Sequence, residues 1–295
     1  MPTTFTRPVL TPAAARASIG EAAPLVSLLS DFGSRDPSGA ICRGVILSIA
    51  PHATVLDITH DVAKYGVLDG ALLLWCALPY LPVGTHMAVV DPGVGTPRLP
   101  VGIATVRGDV LVGPDNGLLV PAAERLGGIE RVHALENADY RLPFVSSVFH
   151  GRDIFAPAAA HLALGVPLDA FGGSVSAADL VRLDLPPAEV ARDALHSAVV
   201  YVDSFGNLKL AGETADLVAA LGPLSPGDHL VVELPAGRAR SAAGMLWTTT
   251  FGLVEPGALL AFEDSYGRLS VAVNQGSAAA DLGVRGGDRL TIRRA

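Results

Sequence analysis

Positive charge is scarce in this chain. Among 295 residues, 21 Lys and Arg face 29 Asp and Glu, for a formal charge of −8, and only 17% of residues are charged. Neutralising a phosphate backbone needs clustered Lys and Arg, so the balance argues against nucleic acid as a partner. Cysteine is nearly absent. Cys42 and Cys76 lie within apolar runs without metal-ligand spacing, which predicts buried, reduced core thiols. Long hydrophobic runs are missing too. The stretch Gly70–Leu81 breaks off well short of the roughly 20 residues a membrane span requires, so no membrane partner is expected. Residues 1–24 have no continuous apolar segment of the kind a signal peptide carries and read as a flexible extension, which places the chain in the cytoplasm. There is no GxGxxG after the first strand signal, no GxxxxGK[ST], no GxSxG and no HExxH. Common cofactor and zinc chemistry is therefore disfavoured. Neither an internal repeat nor a low-complexity segment is seen.

What is present is core-forming material: half of the residues are hydrophobic, and the length suggests about two domains. Leu25–Leu29, Thr54–Ile58 and His86–Val90 read as strands. Gly39–Ala50, Gly70–Leu81, Leu118–Leu126 and Ile154–Leu164 read as helices, and Val101–Val106 with Val110–Val112 as a strand pair turning at Gly108-Asp109. The alternation predicts a larger N-terminal α/β domain with a mostly parallel sheet over residues 25–180. A Pro-containing linker over 181–194 follows. Short strands separated by Gly, Pro and Asp then predict a smaller all-β, barrel-like or sandwich domain over 195–295.

Four segments could carry chemistry. SDFGSRDPSG gathers Asp31, Asp36 and Ser38 in a loop that opens a helix, fit for ribose hydroxyls or an ammonium group, or simply for capping. VVDPGVGTPR delivers Asp91 to a sheet edge, where α/β proteins bind ligands, with Arg98 close behind; a local Asp turn accounts for the first residue equally well. SVFHGRDIFAP sets His150 before a Gly at a helix start. Asp, Arg and His are the types needed to orient and deprotonate a water. VDSFGNLKL places Asp203, Phe205 and Asn207 around Gly206, which suits a nucleobase or an amino-acid zwitterion, or a plain hairpin turn.

Taken in order, SDFG, DPGVGT, GPDNGLL, FHGRDIFAP, DSFGN and AVNQGSAA resemble the S-adenosyl-L-methionine (SAM) hydroxide adenosyltransferases, relatives of fluorinase and chlorinase, from about Leu25 to the C-terminus. The resemblance implies a two-domain subunit in a homotrimer, each active site forming between one subunit's N-terminal domain and a neighbour's C-terminal domain. It implies attack of water-derived hydroxide on ribose C5′ of SAM, giving adenosine and L-methionine without a cofactor. By the same resemblance Asp91, Arg98 and His150 are catalytic, and Asp31 holds the ribose. Asp36, Ser38, Asp203 and Ser265 surround the methionine end, while Tyr65, Phe205, Asn207, Asn274 and Gln275 line the adenosine pocket. The halogenases carry Tyr at the position of Asp91, and the fluorinase has Ser at Gly151, Trp at Lys209 and Arg at Tyr266. A carboxylate at position 91 would oppose a bound halide, which favours hydroxide.

The chemistry fits a site without a cofactor, because a sulfonium is already a good leaving group and the protein need only align and activate a water. From the residues alone, either Asp91 or His150 could take the proton. Two other readings stay open at this point. One is a metal-dependent hydrolase using Asp31, His60, Asp61, Asp91 and His150 as ligands; the other is a non-catalytic SAM- or adenosine-binding protein.

Overall fold

The computed structural model describes residues 23–184, 187–237 and 240–295, so the expected extension over residues 1–24 lies almost wholly outside the described residues. The chain divides into two compact units, the first ending at Leu183 and the second beginning at Asp184. The segment 181–194 contains this division, together with the strand Glu189–Ala191 and the first residue of the next strand.

In the first unit the elements run β1 (Leu25–Ser30), α1 (Ser38–Ile49), β2 (Thr54–Thr59), α2 (Val67–Ala77), β3 (Thr85–Val89), β4 (Pro100–Thr105), β5 (Val110–Pro114), α3 (Val120–Arg125), β6 (Ile129–Ala134), α4 (Ala156–Ala163) and β7 (Ser174–Val175). They form one seven-stranded sheet in the order β2-β1-β3-β5-β4-β6-β7. The pairs β2–β1, β1–β3 and β3–β5 are parallel, as expected, whereas β4 enters antiparallel between β5 and β6, and β7 adds antiparallel at the edge. Both faces are covered, which explains why the central strands are almost wholly apolar. Val26, Leu28, Met87 and Val89 pack with Ile46 of α1 and Ala159 of α4. Their neighbours Leu29, Ala88 and Val90 face the other way, towards Leu74 of α2 and Ala122 of α3. Both cysteines are buried and neither is in a disulfide. Burial pushes the Cys42 thiol up to about 12, so it is an inert core group.

The second unit runs β8 (Glu189–Ala191), β9 (Ala194–Val202), β10 (Leu208–Glu213), α5 (Thr214–Leu221), β11 (His229–Glu233), β12 (Ala242–Trp247), β13 (Leu259–Glu263), β14 (Arg268–Val273), α6 (Ala278–Leu282) and β15 (Arg289–Arg294). Strands β10-β14-β13-β12-β11-β15-β9 follow one another and the β10–β9 pairing closes them into a seven-stranded barrel, with β8 attached to β9. Leu208, Leu210, Leu230, Val232, Met245, Val271 and Ile292 belong to one buried cluster with Leu217 of α5. The second unit is thus the barrel-like domain expected from the sequence, with the short helices α5 and α6 added to it. Among the described residues, no helix is long and apolar enough to cross a membrane.

Candidate active site

Val90 and Asp91 directly follow β3, and the peptide that joins them is fixed from the side: Asn116 Nδ2 donates to the Val90 carbonyl at 2.8 Å. The chain then turns through Pro92–Gly95. Gly95 has a φ of 76°, and a Cβ there would sit 2.5 Å from the Ser147 carbonyl oxygen. Only glycine lets this turn close on the 147–151 segment. That contact brings Arg98 between Asp91 and His150. Arg98 Nε donates to both Asp91 oxygens at 3.1 Å, its Nη2 also reaches Asp91 Oδ2, and Nη2 donates to His150 Nδ1 at 2.8 Å. The two side chains of the ion pair are only 10% and 5% exposed, so the pair sits where electrostatic interactions are little screened.

A guanidinium has donors only, so His150 Nδ1 is the acceptor of this bond and the neutral ring carries its proton on Nε2. Burial, reinforced by the adjacent Arg98 charge, lowers the His150 pKa below its ordinary value against a smaller opposing pull from Asp91. His150 directly precedes a π-helical turn, Gly151–Phe155, that leads into α4. Such turns recur at functional sites. Within it the buried Asp153 binds Arg152 at 2.6 Å and accepts the Ser146 amide at 2.9 Å, which pins the loop before His150.

Asp91 and His150 line a cavity together with Asp31, Phe32, Tyr65, Val89, Val94, Val148, Phe149 and Gly151. Asp31 follows β1. Its carboxylate accepts the Tyr65 amide at 2.9 Å, and its carbonyl accepts from Lys64 Nζ. Tyr65 takes a φ of 62° and leaves its ring 73% exposed at the cavity rim. Phe32 lies flat against His60 at 6.5 Å and meets Phe149 edge-on at 5.7 Å, giving the cavity an apolar wall. Three of the residues picked from sequence, Asp31, Asp91 and His150, thus share one cavity with Tyr65. Asp36 and Ser38 do not line it: Asp36 is exposed, and Ser38 begins α1, whose N-terminus has no side-chain cap.

In the barrel, Asp203, Phe205 and Asn207 occupy one turn between β9 and β10. Asp203 Oδ1 accepts the amides of Phe205 and Asn207 at 3.0 and 2.9 Å, and Asp203 Oδ2 accepts Asn207 Nδ2 at 2.9 Å. Phe205 projects, 77% exposed. Asn274 is buried and donates to the Val254 carbonyl at 2.7 Å, while Gln275 turns the chain with a φ of 56° towards Ser277. A Cβ on Gly206 would lie 2.1 Å from Ser277 Oγ, so the 274–277 corner and the 203–207 turn are in contact. Ser265 lies exposed in the turn between β13 and β14.

Sequence reasoning gave no role to Phe32, Phe149, Asn116 or Asp264. Asn116 sits inside GPDNGLL and Phe32 inside SDFG, so the signal was present but its physical use needed the fold. The metal reading finds no ligand set: among the described residues no three of His, Cys, Asp and Glu are gathered to hold an ion. His60 Nδ1 bonds Ser30 Oγ at 2.7 Å, and Asp61 accepts the Ser34 amide at 3.0 Å.

Fold and site define a protein with a mixed α/β unit, a Gly-hinged Asp–Arg–His relay at the carboxyl edge of its sheet, and a separate β-barrel unit. The chain matches the SAM hydroxide adenosyltransferase N-terminal domain over residues 26–172 and the C-terminal domain of the same family over residues 197–291, and it belongs to that family. It is 45% identical over 269 residues to the (R)-S-adenosyl-L-methionine hydrolase of Salinispora tropica, spanning 91% of this chain and 97% of that protein. Identity to the hydrolase of the same name from Thermus thermophilus is 40% over 270 residues, spanning 89% and 96%. A fluorinase from Actinopolyspora mzabensis is 26% identical over 304 residues, spanning 92% and 97%. A crystal structure of an uncharacterized conserved protein from Thermotoga maritima superposes with a TM-score of 0.83 at 32% identity, covering 91% of this chain and all of that one.

Proposed function

We propose that the protein is a cofactor-free enzyme that hydrolyses SAM at ribose C5′. The observation that carries this reading is the Asp91–Arg98–His150 relay, with Asp91 and His150 on the wall of a largely apolar cavity. A water oxygen forms a bond to C5′ while the C5′–S bond breaks, and its electron pair stays on sulfur. One water proton leaves, and the products are adenosine and L-methionine. The proton acceptor is Asp91, because the Nδ1 lone pair of His150 is already engaged by Arg98 and a carboxylate keeps acceptor positions beyond those Arg98 uses. His150 then offers Nε2–H to the attacking oxygen. Arg98 holds both partners in line and stabilises the negative charge developing between them.

Asp31 binds the ribose hydroxyls in this reading, and Tyr65, Phe205, Asn207, Asn274 and Gln275 take the adenosine. Asp36, Ser38, Asp203 and Ser265 serve the methionine end. The active form is a homotrimer whose sites combine the first unit of one copy with the barrel of the next. It works in the cytoplasm, where both cysteines stay as thiols. The deciding experiment incubates the protein with SAM in ¹⁸O-labelled water and analyses the products by mass spectrometry. Adenosine carrying the label is expected; intact SAM, or unlabelled adenosine, overturns the reading.

A further inference from the structure

Two turns in the barrel are built alike, a repeat of four residues too short to stand out in the sequence. Asp203-Ser204-Phe205-Gly206 joins β9 to β10, and Asp264-Ser265-Tyr266-Gly267 joins β13 to β14. In each, Oδ1 of the Asp accepts the amides two and four residues on, at 3.0 and 2.9 Å in the first turn and 2.8 and 3.0 Å in the second. In each, the Gly amide donates back to the Asp carbonyl, at 2.9 and 3.1 Å, and the Gly takes a φ of 81° or 83°. The Oδ1 atoms thus organise the turns; Asp264 Oδ2 bonds outside its turn, while Asp203 Oδ2 also accepts Asn207 Nδ2 at 2.9 Å.

Both Oδ2 atoms face one cation. Lys209, on β10 opposite Ser270 of β14, donates from Nζ to Asp264 Oδ2 at 2.9 Å and lies 3.5 Å from Asp203 Oδ2. Its side chain is only 7% exposed, so water can do little to replace it. Ser270 Oγ adds a bond to Asp264 Oδ2 at 3.2 Å, and Phe262 places its ring 5.8 Å below the ammonium. A lysine buried among two carboxylates, a hydroxyl and an aromatic face is a fixed strut rather than a solvated charge.

We propose that Lys209 is a positioning residue that locks the two turns to each other, so that Phe205, Asn207 and Ser265 present a single preformed surface to the substrate. The proposal rests on the SAM reading above, which assigns those three residues to substrate contact. Rigid pre-ordering of a binding surface shows in the concentration dependence of the reaction rather than in its chemical step.

The test compares wild type, Lys209→Met and the charge-balanced Lys209→Met/Asp264→Asn protein by amide hydrogen exchange and by steady-state kinetics on SAM. In Lys209→Met the Phe205, Asn207, Tyr266 and Arg268 amides are expected to exchange at least about tenfold faster while β11 and β12 stay protected. KM is expected to rise about tenfold with kcat within about threefold, and the double variant to recover part of both. Unchanged exchange, faster exchange confined to one turn, or an unmoved KM with both turns loosened would each overturn the proposal. Should Lys209→Met fail to fold, Lys209→Arg keeps the charge and carries the same comparison, since the wider head must displace both turns if they share the strut. A wild type that leaves SAM intact sinks the reaction reading, and the exchange data still decide whether Lys209 joins the turns.

Discussion

The sheet of the first unit carries two clusters drawn from the same residue types, with opposite surroundings. At the carboxyl ends of the strands Asp91, Arg98 and His150 meet, and Asp91 and His150 border a cavity. Towards the amino ends, Ser27 Oγ bonds His86 Nδ1 at 2.7 Å, His86 Nε2 bonds Asp109 at 3.0 Å, and Arg107 clamps the same carboxylate at 2.6 and 2.8 Å. The second cluster contains the Ser, His and Asp of a nucleophilic triad, yet all three are fully buried. No substrate can reach the serine, so this set ties β1, β3 and the start of β5 together and does nothing else. The residue set alone therefore does not make a site. Access does, and in this sheet access comes with the loops beyond the carboxyl ends of the strands.

The comparison predicts that damage to the two clusters will appear in different measurements. Asp91→Asn is expected to lower kcat for SAM hydrolysis by about a thousandfold per folded molecule, equivalent to about 4 kcal/mol of barrier. Asp109→Asn should act on stability alone. It strips the charge partner from buried His86 and Arg107, and urea unfolding should show a loss of about 3 kcal/mol while kcat per folded molecule is unchanged. If Asp109→Asn lowered kcat as Asp91→Asn does, the division between the clusters would fail.

The pH dependence separates them again. The His86 and Arg107 bonds outweigh the burial that would otherwise raise the Asp109 pKa, and lower it to about 2. Since its unfolded value is the higher one, its contribution is complete above that value and disappears as the pH falls towards 2. Between about pH 5 and pH 2 the wild type should lose about 2 kcal/mol from this group, a slope missing in Asp109→Asn. At the open cluster the effect is on rate. The His150 pKa is lowered by burial and Arg98, so the ring is neutral at pH 7. Protonation at low pH would remove the acceptor that holds Arg98 Nη2. The kcat/KM profile should be level above pH 6.5 and fall at most about tenfold per unit below a midpoint under that value. A midpoint above 6.5 would contradict the burial of His150.

Much of the open cluster was legible in the sequence, and none of the sealed one was. Asp91 and Arg98 stand beside Pro near strand ends and His150 beside Gly at a helix start, where a polar residue interrupts an apolar run and calls for a reason. Ser27, His86 and Asp109 each stand alone within or beside an apolar strand, and only the β1–β3 register, Ser27 against His86, makes them partners. The parallel half of the sheet could be read from its apolar runs, whereas β6 (IERVHA) was not, because Glu130 and Arg131 are exposed and break the pattern. In the barrel, β10 and β12 carry weak strand signals for a related reason: Lys209 is a charge inside a strand, and Gly244 gives no side-chain signal. Helix α5 follows β10 without a loop between them, its start set by a reciprocal Glu213–Asp216 capping box that is invisible without coordinates. The Asp203 and Asp264 turns share D-S-aromatic-G, but four residues carry little weight until both carboxylates are seen to face the same lysine.

The smallest expected effect tests how open the open cluster is. A Cβ on Gly151 would lie 2.9 Å from Phe32 Cζ and 3.5 Å from Phe149 Cε2, and the backbone conformation of Gly151 is one that alanine can adopt. In a sealed core such a contact is resolved only by strain, at a cost of about 1–3 kcal/mol. Here the obstructing atom is the far end of a ring that borders a cavity, so Phe32 can swing away from Gly151. Gly151→Ala should therefore cost at most about 1 kcal/mol in unfolding free energy, at the low end of that range. The displaced ring enters the cavity, and KM for SAM should rise about threefold with kcat nearly unchanged. A large loss of stability with KM unmoved would mean that Phe32 is held as rigidly as a core residue, and the wall beside His150 would then belong with the sealed cluster rather than the open one.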